Sequence, residues 1–155
     1  MFPNWRDKPK RTHVDELAET LDPFNANIID VGCGIGHITR ALTNMGAHVI
    51  GIDPGKRQLE RARTEEMVGS EVYIEGVAED LPFDDQSKDI ILFFNSFHHV
   101  SKNKFSEAIR ETSRVLRSGG KLFFAEPIAD GPQFELSRLI NDETEIRALA
   151  YQSIL

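Results

Sequence analysis

A β-branched run that breaks into three alternate glycines constrains this chain more than any other feature. Residues 28–31 are Ile-Ile-Asp-Val, Gly32, Gly34 and Gly36 follow, and a helix-compatible segment begins at about His37. Glycine tolerates positive φ and carries no Cβ, so the chain can turn sharply while a ligand approaches its backbone. The helix then begins with its free N–H groups facing that turn. The pattern predicts a small-molecule cradle at the carboxyl end of a parallel strand.

The spacing of these glycines argues against a dinucleotide site. The G-x-G-x-x-G fingerprint needs a third glycine three residues after the second, but His37 and Thr39 stand at those places. A second apolar run, residues 48–52, ends at Asp53. A carboxylate at a strand tip accepts hydrogen bonds from both hydroxyls of a ribose. The motif therefore disfavours a nicotinamide-dependent oxidoreductase and favours another nucleoside ligand.

Four blocks in order make this sequence resemble the class I S-adenosylmethionine (SAM) dependent methyltransferases. It is most similar to the small-molecule branch that includes ubiquinone and menaquinone biosynthesis enzymes. The blocks are IDVGCGIG at 29–36, VIGIDP at 49–54, AEDLPF at 78–83 with NSFHHV at 95–100, and RVLRSGGKL at 114–122. The resemblance covers residues 27–127. It implies an α/β, Rossmann-like, doubly wound parallel sheet of strand order 3-2-1-4-5. It also implies methyl transfer from SAM to a small-molecule acceptor, which leaves S-adenosylhomocysteine.

The resemblance assigns the methionine end of SAM to the glycine turn. Gly32, Gly34 and Gly36 would line it, and Asp30 would reach the ammonium directly or through water. An Asp30 that only braces the loop is the alternative. Asp53, followed by Pro54, would hold the ribose hydroxyls, and the alternative is an aspartate that caps the next helix.

The adenine and the sulfonium are assigned to later strand tips. In the family an acidic residue beside an alanine reads the adenine, which here points to Ala78 and Glu79. Val77 stands where the family often has aspartate, so the adenine amine would fall to Glu79, to Asp80 or to a backbone carbonyl. Lys88 is a second departure, because the family tends to have an aromatic residue there. Asn95 would face the sulfonium.

His98 and His99 follow Asn95 and invite assignment as a general base. Methyl transfer is an in-line displacement from an activated sulfonium, and proximity and orientation can suffice. A histidine pair that braces the loop is the alternative, so we assign no catalytic residue. Cys33 lacks any visible activating partner, and we expect no nucleophile there. We assign no metal ligands from the sequence.

Alternating strand and helix patterns predict one domain over residues 1–155. Strands are expected at 27–31, 48–53, 71–75, 89–95 and 121–126, and helices at 14–21, 37–45, 56–68 and 104–117. Such alternation builds right-handed βαβ units and a parallel sheet. The first helix, with Phe2 and Trp5, is expected either to form part of a lid or simply to cover the sheet.

The segment after strand five departs from the family, whose members continue with a helix and an antiparallel strand pair. Residues 130–140 and 143–155 can supply helices but no such strands. Strand five would then be an apolar edge, which native proteins avoid. Either the chain is incomplete at its C-terminus, or a partner buries the edge and the terminal helix. In both cases we expect self-association through the strand-five edge or the terminal helix.

Composition restricts the partners. The net charge is −7 and the basic residues are scattered apart from a short group at 8–11, which argues against nucleic acid. No stretch approaches the roughly 20 apolar residues of a membrane span. The single cysteine cannot form an internal disulfide, which favours a reducing compartment, and we expect a cytoplasmic protein.

The sequence therefore supports two functions of different kinds. The first is a SAM-dependent methyltransferase whose acceptor the sequence does not name, so that O-, N- and C-methylation all stay open. The second is a SAM-binding module or subunit without catalysis.

Overall fold

The computed structural model describes residues 12–154. Phe2, Trp5 and the basic group at residues 8–11 lie outside the described residues. Five strands form one sheet in the order β3-β2-β1-β4-β5, and every neighbouring pair is parallel. The strands are β1 (Asn27–Val31), β2 (His48–Asp53), β3 (Val72–Glu75), β4 (Lys88–Phe94) and β5 (Leu116–Ala125). The predicted fold class and strand order are confirmed.

Six α-helices accompany the sheet within the described residues. They are α1 (His13–Leu21), α2 (His37–Asn44), α3 (Lys56–Thr64), α4 (Phe105–Val115), α5 (Pro132–Ser137) and α6 (Thr144–Ile154). Helix α1 begins with a capping box, in which the Thr12 hydroxyl accepts from the Asp15 N–H and the Asp15 carboxylate accepts from the Thr12 N–H. Two short 3₁₀ turns, Phe97–His99 and Lys102–Lys104, connect β4 to α4.

Alternate residues of the central strands contribute to two apolar layers. Ile28 of β1 packs with Leu17 of α1 and Leu42 of α2 on one face. Ile29 packs on the other face, in a layer that contains residues of α4 and Ala150 of α6. Because side chains of a strand point alternately to opposite faces, a strand segment covered on both sides is apolar, as residues 90–94 of β4 are.

Two predicted boundaries are wrong by four residues or more, and hydrogen bonds explain both. Helix α3 ends at Thr64 rather than at residue 68, because the Glu71 carboxylate accepts from the N–H groups of Val68 and Gly69 at 2.8 and 2.9 Å. This carboxylate holds the segment in a turn. The carbonyl of Val115, at the end of α4, accepts from the Ser87 N–H at 2.9 Å.

That second contact starts β5 earlier than predicted. Helix α4 ends at Val115, and β5 begins at Leu116 instead of residue 121. The pairing with β4 is irregular at this end, because Lys88 pairs with Leu116 and Ile90 pairs with Lys121. Gly119 adopts a φ of +75° there, which a residue with a Cβ rarely does. The glycines therefore form an irregular stretch within the strand instead of ending the helix.

Strand β5 is an edge of the sheet and pairs with β4 alone among the described residues. Residues 126–154 contain α5 and α6 and no strand. Helix α6 packs Ile146, Leu149 and Ile154 against the core layer that includes Phe124 of β5. The terminal helix thus covers one face of the sheet near its edge, while self-association stays a prediction.

Candidate active site

A cavity of about 520 Å³ opens at the carboxyl ends of the strands. Ligand sites of this kind of sheet lie at this edge, and the volume suits a ligand of nucleoside size. Its wall brings together five of the predicted site residues: Gly32, Asp53, Pro54, Ala78 and Glu79. The other predicted residues, Asp30, Gly34, Gly36, Asn95 and His98, lie elsewhere, whereas His99 also borders this cavity.

Packing contacts within the protein constrain two glycines of the turn, Gly32 and Gly36. Gly32 has a φ of +75°, and a Cβ there would collide with the side chain of Ser96. The Ser96 hydroxyl donates to the Val31 carbonyl at 2.6 Å. Ser96 therefore ties the tip of β4 to the tip of β1, a contact that sequence reasoning missed. A Cβ at Gly36 would meet the ring of Tyr73, so this glycine serves packing.

Gly34 differs from its neighbours because nothing lies within 4 Å of the Cβ it would carry. Its φ is +55°, and its N–H donates to Asp53 Oδ2 at 2.9 Å. Gly34 and Asp30 border a smaller cavity of about 300 Å³, whose wall also includes Gly32. Gly32 thus contributes to both cavities.

Asp53 is held at the tip of β2 by two backbone donors. Oδ2 accepts from Gly34 N–H at 2.9 Å and Oδ1 accepts from Gly55 N–H at 2.7 Å. The carboxylate therefore joins the glycine turn to the start of α3. Each carboxylate oxygen keeps a second lone pair, so the contacts are compatible with a further bond to a ribose hydroxyl.

Asp30 is buried and lies below the turn. Its Oδ2 accepts from the Thr39 hydroxyl in α2 at 2.7 Å. Burial raises the pKa of Asp30 to about 6, against the opposing effect of its hydrogen bonds from Thr39. These contacts are those of a residue that braces the loop. Thr39 was not singled out from the sequence, where its only signal is a place in the first turn of α2.

The cavity wall at the predicted adenine end contains both apolar and acidic side chains. Val77 and Ala78 line the larger cavity together with Glu79. Val77 also forms a backbone bridge with Asp80, which does not line the cavity. Lys88, the second departure from the family, lies at the opposite end of β4, where its ammonium lies over the Phe83 ring. Glu79 is therefore the acidic side chain of this segment that borders the cavity.

Glu126 organises the loop after β4 and was missed by sequence reasoning. Its Oε1 accepts from the N–H groups of Ser96 and Phe97 at 3.0 and 2.7 Å. Its Oε2 lies 2.5 Å from His98 Nδ1. Burial by itself raises the pKa of Glu126, but the bonds from His98 and from these backbone donors lower it overall. The sequence did contain one signal for Glu126, because Glu126-Pro127 stands at the tip of β5 in the same way that Asp53-Pro54 stands at the tip of β2.

The histidine pair divides into a buried member and an exposed one. His98 is buried, and its contact with Glu126 connects the loop after β4 to the tip of β5. His99 is exposed, and its pKa is lowered by partial desolvation and by the neighbouring His98. Burial also raises the pKa of the Cys33 thiol, which keeps it protonated and argues against a nucleophile.

A third cavity, of about 830 Å³, lies beside the first. Asn95, His98 and His99 border it, together with residues of α1, of the β5 tip and of both terminal helices. Asn95 has a φ of +52°, and its N–H donates to the Ala125 carbonyl at 2.7 Å. Because His99 borders both the first and the third cavity, the two meet at this side chain.

The chain is similar to known methyltransferases in sequence and in structure. The family profile of the methyltransferase domain matches residues 29–124. The uncharacterized methyltransferase Rv3342 of Mycobacterium tuberculosis is 36% identical over 117 residues, which are 75% of this chain and 46% of that protein. The uncharacterized methyltransferase YcgJ of Bacillus subtilis is 33% identical over 129 residues, and the match covers 77% of this chain and 50% of that protein.

Solved structures give the same result. The crystal structure of YcgJ superposes with a TM-score of 0.72 and 27% identity, over 90% of this chain and 66% of that one. A SAM-dependent methyltransferase from Methanosarcina mazei gives a TM-score of 0.67 and 26% identity, over 80% and 62%. The chain spans about half the length of the relatives named above. Across residues 12–154, no helix has the length and apolar character needed to cross a membrane.

Proposed function

Because this chain belongs to the methyltransferase domain family, we propose that it transfers a methyl group from SAM to a small-molecule acceptor. One observation carries the proposal. A single cavity brings the glycine turn at Gly32, the carboxylate of Asp53 and the Ala78-Glu79 pair together from three separate strand tips. A ligand with an amino-acid end, a ribose and a base would contact all three.

The residues present fit SAM. Gly34 leaves open space above its Cα, and Asp53 offers lone pairs at the centre of the wall. Val77 and Ala78 offer apolar surface to a flat base, and the Glu79 carboxylate borders the same cavity, where it could accept a hydrogen bond from an exocyclic amine. We therefore assign the methionine end to the glycine turn, the ribose to Asp53 and the adenine to residues 77–79.

The chemistry supplied by bound SAM is a methyl group on an activated sulfonium. Transfer of this group to a nucleophilic atom of the acceptor would leave S-adenosylhomocysteine. The residues of this chain need to align the two molecules and exclude water. The third cavity meets the first at His99, so it is the place where an acceptor would lie in line. We assign no general base to this step.

Calorimetry tests the ribose assignment. Asp53→Ala is expected to weaken S-adenosylhomocysteine binding by about 1 to 3 kcal/mol, because ribose hydroxyls lose a charged acceptor. Glu75→Ala is the matched control, since Glu75 pairs with Asp53 in the sheet register but does not line the cavity. Unchanged affinity in Asp53→Ala would contradict the assignment. The affinity of Asp53→Asn, which keeps one acceptor oxygen, is expected to fall between those of Asp53→Ala and the wild type.

Turnover separates the enzyme from a binding module. Transfer of labelled methyl groups to a panel of alcohols, amines and carbon acids would identify the acceptor atom. Binding of SAM and S-adenosylhomocysteine without any transfer to the panel would favour the non-catalytic module. Binding of NAD in preference to both would reject the proposal altogether.

A further inference from the structure

Two histidines and a glutamate from distant parts of the chain meet at the third cavity. His98 and His99 lie in the 3₁₀ turn after β4, and Glu143 immediately precedes α6. One ligand atom from each residue lies within 4.8 Å of the other two. Among residues 12–154 no other cluster of His, Cys, Asp and Glu side chains meets this distance. All three side chains border the third cavity.

We propose that His98, His99 and Glu143 bind a divalent transition metal ion. Two imidazoles and one carboxylate suit Zn²⁺ and Co²⁺, whereas Mg²⁺ and Ca²⁺ prefer oxygen ligands. Ligand atoms around a tetrahedral zinc ion lie roughly 3.4 Å apart, as its bonds of about 2.1 Å require. The three ligand atoms therefore need to approach one another by at most about 1.4 Å when the ion binds.

The surroundings of the cluster orient it as a metal site requires. Glu126 Oε2 is 2.5 Å from His98 Nδ1. A carboxylate that accepts from Nδ1–H leaves the lone pair on Nε2 of the neutral imidazole, where it can bind a metal. A carboxylate that binds the outer nitrogen of a histidine is the usual support of a metal-bound imidazole.

Glu143 is likewise held in place from outside the cluster. Arg147 of α6 donates to Glu143 Oε2 from Nη2 at 2.7 Å and from Nε at 3.1 Å. Asn141 donates to Oε1 at 3.0 Å. A carboxylate has about four lone-pair positions, so these three contacts leave capacity for a metal bond. The two bonds from Arg147 fix the Glu143 carboxylate against α6.

Three protein ligands leave at least one coordination position open, as in catalytic rather than structural zinc sites. Because all three ligands border the third cavity, that position is available to a molecule bound there. His99 also borders the cavity assigned to SAM. The bound metal would then hold a heteroatom of the acceptor beside the methyl donor. This last role rests on the proposed function, whereas the metal site itself does not.

Titration with Co²⁺ alone, followed by visible absorption, tests the site in the absence of SAM. We expect the wild-type chain to develop the d–d bands of a protein-bound ion at one equivalent. His99→Ala and Glu143→Gln are expected to lose them, and both avoid the buried His98. Glu126→Gln should weaken binding about 10- to 100-fold. His48→Ala is the matched control, because His48 is exposed at the start of β2 and outside the cluster.

The outcomes separate cleanly. Absence of d–d bands in the wild type, or bands that persist in His99→Ala and Glu143→Gln, would overturn the metal site. Bands confined to proteins that keep all three ligands would support the metal site. Circular dichroism would show whether the variants are folded. Calorimetry with S-adenosylhomocysteine on metal-free protein tests the proposed function separately. If methyl transfer is the same with EDTA as with added Zn²⁺, the role beside the acceptor is overturned while the site stands.

Discussion

The buried carboxyl group of Asp30 should make the stability of this protein fall as the pH rises through the weakly acidic range. Its pKa is raised from an ordinary 3.8 to about 6 by burial. Between these values the folded state holds a proton that the unfolded state has lost. Stability falls with pH wherever the folded state binds more protons, so the loss begins near pH 4 and is complete somewhat above pH 6.

The size of this effect follows from the two pKa values. A pKa raised from 3.8 to about 6 corresponds to about 3 kcal/mol of lost stability at neutral pH. Asp30→Asn removes the ionisation but keeps an oxygen that can accept from the Thr39 hydroxyl. The free energy of unfolding of the variant, relative to wild type, should therefore rise by about 2.4 kcal/mol between pH 4 and pH 7, because a small part of the loss has already occurred at pH 4.

Urea unfolding at several pH values from 4 to 8 measures this difference. Asp89→Asn is the matched control, because the pKa of Asp89 is lowered, chiefly by the hydrogen bond from the Asn27 N–H. The stability that Asp89 contributes is complete above its unfolded pKa of about 3.9, so that variant should be less stable by a constant amount across the same range. A difference between Asp30→Asn and wild type that does not change with pH would refute the reasoning.

Four further predictions concern the glycine turn, the loop after β4 and the edge of the sheet. Gly34→Val should abolish S-adenosylhomocysteine binding while leaving the chain folded, because the valine side chain would enter space that is open in the structure. Retained affinity would mean that the ligand binds elsewhere. Gly36→Ala should instead lower the melting temperature, because its Cβ meets Tyr73, and an unchanged melting temperature would contradict that packing argument. Glu126→Gln should cost about 1 to 3 kcal/mol in urea unfolding, because it removes the charged acceptor of three groups in the β4 loop. Light scattering should show self-association, because β5 is an edge strand and Leu139 and Ile140 are exposed. A clean monomer at high concentration would contradict this prediction and show that α6 protects the edge sufficiently.

The sequence was most informative where the pattern is local. A β-branched run, a glycine turn and a capped amphipathic segment each depend on the conformations of neighbouring residues, so β1, α2 and β2 could be predicted nearly to the residue. The alternation of such units implies a parallel sheet, and the four family blocks imply its strand order. The place of Asp53 at the second strand tip followed from the same reasoning.

Only the tertiary structure decided what each polar side chain contacts. Glu126 meets His98 from 28 residues away, and Thr39 meets Asp30 across the glycine turn. Glu143 reaches the histidines because α6 packs back onto the sheet. These contacts have no local signature, since they depend on how strands and helices far apart in sequence are brought together, and the packing of the apolar layers determines that arrangement.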